Sequence, residues 1–239
     1  LENRMRFAKE LMDATRAVVG PDFPIAFRFS ADAKYPGGRD VKESQEIAIE
    51  LEKMGVDMLH VDAGCYESIY WAAPGGYLGD APLVDYAAAI KEVVNIPVMA
   101  VGSLTPETAA DAIESGKCDF VAFTRGFLAD PEMPNKIYKE HLEDVRPCIR
   151  CNEFCIGHVF SEKTVTCAVN ATAGNDFEYQ VRPADEKKNI VVIGGGVGGM
   201  EAARVAALRG HNVTIYEKDS CLGGTTKIIA TADFKKKIR

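Results

Sequence analysis

The sequence predicts an α/β chain in three parts: the C-terminal half of a TIM (β/α)8 barrel, a cysteine loop that wraps a metal centre, and the start of a Rossmann-like nucleotide-binding domain. Three observations carry this. Amphipathic and short apolar runs alternate from residue 1 to about 142. Cys148, Cys151, Cys155 and Cys167 then follow with the spacing C-x2-C-x3-C-x11-C. After them, GGGVGG stands directly behind a short apolar run.

The elements follow in order. An amphipathic helix over 4–19 leads through Gly20-Pro21 to a strand over 25–30. A helix over 44–54 ends at Gly55 and feeds a strand over 58–63; a third helix over 84–94 feeds 97–101. Thr105-Pro106-Glu107 supplies an N-cap and a proline at the first helical position, opening a fourth helix that runs to Ser115-Gly116 and feeds 120–124. A last helix over 134–142 has no strand after it. Continuous apolar strands alternating with helices mean a parallel sheet covered by helices. Four such units are half of a barrel that typically needs ~250 residues. Four strands also fit an open doubly wound sheet. The strand ends favour the barrel, because Arg28, Asp62, Gly102-Ser103 and Thr124-Arg125-Gly126 cluster there, and barrel chemistry is built on that face. Residues 143–182 lose the rhythm. A strand over 190–193, an alanine-rich helix over 200–209, a Gly210 C-cap and a strand over 212–217 then make the first half of a Rossmann unit.

Net charge of -7 argues against nucleic acid or an anionic membrane as partner, since both reward clustered Lys and Arg. Lys235-Lys236-Lys237 reads as a solvated helix face. No apolar run reaches membrane-spanning length, and the first helix is charged, without a signal core. Seven cysteines in that context point to a reducing cytoplasm and to metal ligation. The chain starts on Leu1 and stops at Arg239 within an unfinished α/β pattern, so it is expected to be an internal fragment.

Thiolates are soft ligands that suit iron–sulfur clusters and zinc. Structural zinc sites of four cysteines usually show two CxxC knuckles, whereas three close cysteines with one distant favour [4Fe–4S]; zinc and plain buried thiols are the competing readings. Cys118 and Cys221 are expected to be buried packing residues. In the glycine loop, Gly194 allows the turn, Gly196 lets backbone approach a pyrophosphate, and Gly199 lets helix and strand pack closely. Glu217 ends the second strand where an acid accepts hydrogen bonds from a ribose, and Gly223-Gly224 make FAD the preferred dinucleotide over NAD. In the barrel, Gly102-Ser103 and Arg125-Gly126 are placed for an FMN phosphate, and Arg28 for the flavin N1–O2 edge; taken singly, each also fits a packing or surface role. Tyr66 is placed to donate a proton or hydrogen-bond a substrate carbonyl, against a packing role on the barrel rim. His60 reads as a satisfied core histidine and His158 as a solvated loop residue, with a hydrogen bond to a cluster sulfur as its other reading.

Together these residues resemble the flavin- and cluster-containing branch of the old yellow enzyme superfamily, which includes the 2,4-dienoyl-CoA reductases and 2-enoate reductases. LENRMRF…GPDFPIAFRFS looks like its mid-barrel segment, DFVAFTRGFLADPEMPNK like its last strand and phosphate loop, and CIRCNEFC…CAVNATAG like its cluster loop. The resemblance implies that Arg28 and Arg125 contact FMN with Gly102 and Gly126 near its phosphate, that the four cysteines hold [4Fe–4S], and that Gly194, Gly196, Gly199 and Glu217 bind FAD. It implies an ene reductase in which electrons pass from NAD(P)H through FAD, the cluster and FMN to the C=C bond of an unsaturated carboxylate or enoyl thioester. Where dienoyl-CoA reductases carry a catalytic histidine, this chain has Tyr66 in DAGCYES, followed by Trp71, which looks more like the 2-enoate reductases. The alternatives are a trimethylamine-dehydrogenase-like amine dehydrogenase or demethylase, whose third cysteine stands one residue closer, and a non-catalytic metal-cluster module. Expected segments are 1–142, 143–182 and 183–239. Expected partners are a small unsaturated acid or acyl-CoA, with a homo-oligomer compatible. Half a barrel leaves sheet edges open, so the fragment alone is expected to be inactive and to hold FMN weakly.

Overall fold

The computed structural model describes residues 1–231 and 235–236. Lys237 of the basic run, and the end of the third segment, lie outside the described residues. The helices are α1 (Glu2–Val19), α2 (Val41–Lys53), α3 (Ile69–Ala72), α4 (Val84–Lys91), α5 (Pro106–Glu114), α6 (Arg125–Ala129), α7 (Met133–Tyr138), α8 (Ile156–Phe160), α9 (Val197–Leu208) and α10 (Thr226–Ile229). The strands are β1 (Ala26–Ser30), β2 (Met58–Asp62), β3 (Val98–Val101), β4 (Phe120–Ala122), β5 (Asn189–Ile193) and β6 (Asn212–Tyr216).

β1 to β4 form one parallel sheet in the order β1-β2-β3-β4. Each strand adds beside its predecessor, and the order never reverses as a doubly wound sheet must at its switch point. The barrel reading therefore holds, and the doubly wound alternative falls. Period-two alternation divides the sheet: Leu59, Val61, Val98 and Ala100 are fully buried and pack with Met12, Leu51, Ala87 and Ile90 from the covering helices. Cross-strand register puts Arg28, His60 and Met99 side by side in one row.

Local chemistry fixes the helix starts. The Asp40 carboxylate accepts the Glu43 N–H at 2.9 Å to cap α2. Thr105 and Thr108 exchange side-chain and backbone hydrogen bonds at the start of α5, with Pro106 at its first position, as expected. At the N-terminal end of the barrel strands, Arg16 donates to the carbonyls of Gly20, Pro21, Phe23 and Gly55 and to the Asp57 carboxylate. One side chain thus ties α1 to the loops before β1 and β2.

Two elements differ from expectation. β4 stops at Ala122, because Thr124 already caps α6. The helix expected over 134–142 stops at Tyr138, and Glu140 turns left-handed (φ 61°) before a 3-10 turn at Leu142–Asp144. The third part is a separate two-stranded parallel sheet, β5–β6, with α9 as the crossover.

Candidate flavin, thiolate and nucleotide sites

A cavity of about 610 Å³ opens where β3 and β4 end, a size within the usual range for a small-molecule site. Arg28, Gly102, Ser103, Arg125 and Gly126 all line it, together with Cys148 and Arg150. Gly102 has φ 109°, and a Cβ there would sit 2.6 Å from the Leu83 side chain, so only glycine fits. Ser103 donates from Oγ to the Pro74 carbonyl at 3.0 Å and accepts from Arg125 Nη2 at 3.0 Å. Arg125 Nη1 donates to Pro74 O at 2.8 Å and to Asn152 Oδ1 at 2.5 Å. Arg28 lies mid-strand and pairs with Asp62, whose other oxygen accepts the Ala63 N–H at 2.9 Å. Asp62 carries no assigned role from the sequence alone. The signal was present: Arg28 and Asp62 occupy the same phase of the strand alternation on neighbouring strands.

Tyr66 is not brought to this cavity; it is 85% exposed and absent from the lining. The turn at Gly64 (φ 94°) and the buried Ser68 hydroxyl, which accepts from Cys65 N and donates to Ala33 O, fold the loop so that Tyr66 points outward. His60 departs from expectation. It is half-buried, its Nε2 has no partner among the described residues, and burial, then the neighbouring Arg28 charge, push its pKa down.

The four cysteines line one small second cavity, which Arg125 and Asn152 also line. All seven cysteines of the chain are free thiols. Among the described residues, three ligating atoms come within 4.8 Å of one another only in the exposed group His141, Glu143 and Asp144, so no three of the four thiols do so. Four thiols on one cavity are a soft donor set that suits an iron–sulfur cluster or a zinc ion. Burial pushes the Cys148 thiol up, while the Arg150 N–H and the Arg125 charge oppose it. The segment is fastened to the barrel at several places. Asp130 accepts from Lys136 Nζ and the Arg146 N–H, and Asn170 Nδ2 donates to Leu128 O at 2.9 Å. His158 lies in α8, and its Nδ1 bonds the Thr164 carbonyl at 2.7 Å. Cys221 corrects an expectation: it is exposed, not buried, and Lys227 draws its thiol pKa down.

In the glycine loop, Gly194 has φ 102°. A Cβ on Gly199 would meet Gly194 O at 2.0 Å, whereas one on Gly196 would meet nothing within 4 Å. The loop is thus tight at Gly199 and open at Gly196, which caps the N-terminus of α9. Glu217 accepts from the Asp219 N–H at 2.9 Å and the Gly195 N–H at 2.7 Å, bonds that in that order hold its carboxyl below the usual range. Gly223 N–H donates to Gly195 O at 2.8 Å, which brings Gly224 (φ 51°) against Gly196.

The description "NADH:flavin oxidoreductase / NADH oxidase family" matches residues 1–144, more than half of the sequence. The chain belongs to that family. Residues 189–235 match the FAD dependent oxidoreductases, so a flavin oxidoreductase barrel segment is followed by the start of an FAD-type domain. The old yellow enzyme resemblance read from the motifs is borne out. Similar proteins include a cinnamate reductase of Clostridium sporogenes, 41% identical over 98% of this chain and 38% of the relative. An NADH oxidase of Thermoanaerobacter brockii is 44% identical over 100% of this chain and 37% of the relative. Among solved structures, a 2-naphthoyl-CoA reductase in complex with 2-naphthoyl-CoA superimposes with TM-score 0.94 at 33% identity, over 99% of this chain and 36% of that one. The chain thus spans well under half the length of each of these proteins. No helix among the described residues is long and apolar enough to cross a membrane.

Proposed function

We propose that this chain is part of an NAD(P)H-dependent ene reductase that saturates the C=C bond of an unsaturated carboxylate or enoyl thioester. One observation carries the reading: the five flavin-site candidates and Cys148 line a single cavity at the C-terminal ends of the strands. The similarity to a cinnamate reductase and a naphthoyl-CoA reductase supports the substrate class. Residues 1–142 hold FMN, 143–182 the [4Fe–4S] cluster and 183–239 the FAD pyrophosphate and ribose.

When bound, FMN supplies hydride to the alkene, the cluster carries single electrons, and FAD takes hydride from NAD(P)H. Around them, the chain's own groups position and neutralise. The Arg28 guanidinium, oriented by Asp62, offers positive charge at the flavin N1–O2 edge. Gly102, Ser103, Arg125 and Gly126 receive the phosphate. Cys148, Cys151, Cys155 and Cys167 ligate the cluster. Gly194 turns the nucleotide loop, Gly196 leaves room for the pyrophosphate at the α9 N-terminus, Gly199 and Gly224 hold that loop closed, and Glu217 faces the ribose. The proton for the substrate α-carbon is proposed to come from a tyrosine-type acid, either Tyr66, whose outward-pointing loop leads into the cavity wall at Ala72 and Ala73, or one outside this chain. A thiolate cluster of this kind belongs in the reducing cytoplasm.

The test is an anaerobic assay of the full-length enzyme with NADH, offering cinnamate in one arm and a methylated amine in the other. Saturation of cinnamate is expected. Amine oxidation without alkene reduction would transfer the site to C–N chemistry, and iron and sulfide below stoichiometry would remove the cluster from it.

A further inference from the structure

Between Cys148 and Cys155 two residues adopt left-handed backbone: Arg150 (φ 55°) and Asn152 (φ 58°). Both side chains bond the loop that follows β2. The Arg150 guanidinium donates to Gly79 O and pairs with Asp80. Asn152 Nδ2 donates to Ala73 O at 2.7 Å, and its Oδ1 accepts from Arg125 Nη1 at 2.5 Å. The backbone carbonyl of Asn152 is taken as well, by the Gly157 N–H at 2.9 Å. Arg125 and Cys148 are the residues common to both cavities, and Arg125 is the charged one, lining the barrel cavity on one side and the thiol cavity on the other. Its other contacts, Pro74 O and Ser103 Oγ, leave Asn152 as its one side-chain partner from the cysteine loop.

Asn suits this position for two separate reasons. It tolerates left-handed backbone, which a tight cysteine loop imposes. Its amide also presents a donor and an acceptor at once, and the two partners here are a carbonyl and a guanidinium. We propose that Asn152 is a positioning residue: it fixes the Arg125 guanidinium in the wall shared by the two cavities and latches the cysteine loop to residues 73–74. Charge at this one side chain then acts on the flavin and on the thiolate centre together.

This rests on the proposed placement of FMN and cluster, so the experiment measures those first. Flavin, iron and sulfide are determined in the full-length wild-type enzyme; their absence sinks the function proposed above. In enzyme that contains both, FMN is titrated anaerobically by absorbance and the cluster by electron paramagnetic resonance. Asn152→Asp keeps the shape, the backbone preference and the acceptor for Arg125, but sets a negative charge between the two centres. Both potentials are expected to fall, by at least tenfold per electron, which is about 59 mV. Asn152→Gly keeps the backbone conformation and removes both side-chain bonds. It is expected to release FMN at least tenfold faster at unchanged iron content. Should the aspartate variant lose its fold, the glycine variant decides alone. A fall in the cluster potential only, no fall in either, or FMN release at the wild-type rate from the glycine variant would each overturn the assignment while leaving the electron route intact.

Discussion

Asp62 holds Arg28 across the β1–β2 pair, and the two side chains form an ion pair on the strand face that carries the flavin-site candidates. Asp62 is itself buried, and its second oxygen is engaged by the Ala63 N–H, so the carboxylate cannot swing away without losing a partner. The carboxylate thereby sets the direction of the guanidinium and also offsets part of its charge. Asp62→Asn and Arg28→Gln are therefore expected to move the FMN potential in opposite directions, upward for the first and downward for the second. Redox titration of the two variants checks this. Shifts of the same sign would mean the pair is structural and does not set the field at the flavin.

Arg16 makes the densest polar junction among the described residues, and it lies at the opposite end of the sheet from the cavity. Arg16→Ala removes five hydrogen bonds at once and is expected to cost about 2–3 kcal/mol in chemical denaturation with little change in bound flavin. Loss of flavin at unchanged stability would contradict that division of labour.

Its partner Asp57 gives the junction a pH dependence. The Ile25 N–H and then the Arg16 charge hold the Asp57 carboxyl below the usual carboxylate range. The native state therefore binds this proton less tightly than the unfolded chain does. The contribution is present above about pH 4 and disappears as pH falls through the lower native value. Asp57→Asn should flatten the loss of stability between about pH 5 and 3. Because Asp57 is half exposed, the difference is expected to stay below about 1 kcal/mol. Parallel stability curves for the two proteins over that range would exclude it.

Much of this architecture was legible because its signals are local and periodic. Eleven of the helices and strands, five of the barrel segment's and the nucleotide unit's helices and six strands, fell within a few residues of their expected places, since apolar alternation and Thr105-Pro106 or Gly55 punctuation report directly on backbone state. Four flavin-site candidates just past the ends of β3 and β4 met in one cavity, joined by Arg28 from the middle of β1, because a barrel gathers its strands' C-terminal face whatever their separation in sequence. What stayed hidden depends on contacts between distant segments. Asn152 meets Ala73 across 79 positions, and Arg150 meets Gly79 across 71, distances that no periodicity encodes. The short helices α3, α6, α8 and α10 span too few residues to show a period. Cys221 was misread because the rule that cysteines are buried yields to the polar loop around it.

The glycine loop separates folding from binding at two positions three residues apart. Gly199→Ala drives a Cβ into the Gly194 backbone carbonyl, which cannot yield as a flexible side chain would, so the β5–α9 turn must open. Gly196→Ala meets open space and leaves the turn intact, while filling the room kept for a pyrophosphate. Both variants are expected to lose FAD, but only Gly199→Ala should lower the melting temperature. FAD retained in Gly196→Ala would mean that the pyrophosphate lies elsewhere.

Tyr66 is exposed on a loop held at its base by Ser68, so removing its hydroxyl disturbs no packing. Tyr66→Phe is expected to leave FMN reduction by NADH unchanged and to slow alkene reduction by 10²-fold or more, the scale of lost general-acid catalysis. Rapid mixing of the reduced enzyme with substrate separates the two steps. An oxidative half-reaction as fast as the wild type would place the proton donor on another residue.

The four cysteines make the sharpest demand on the chain. Cys151 is exposed while Cys148, Cys155 and Cys167 are half-buried, so a serine at Cys151 is the substitution least able to disturb packing. In the full-length enzyme Cys151→Ser is expected to lose iron and sulfide and to abolish NADH-driven turnover. FMN reduced chemically should still pass hydride to the alkene at close to the wild-type rate, because the barrel cavity does not touch Cys151. NADH-driven rates that survive the loss of iron would show that the two flavins exchange electrons without the cysteine loop, and the position of Arg125 between the cavities would then have to be explained by packing alone.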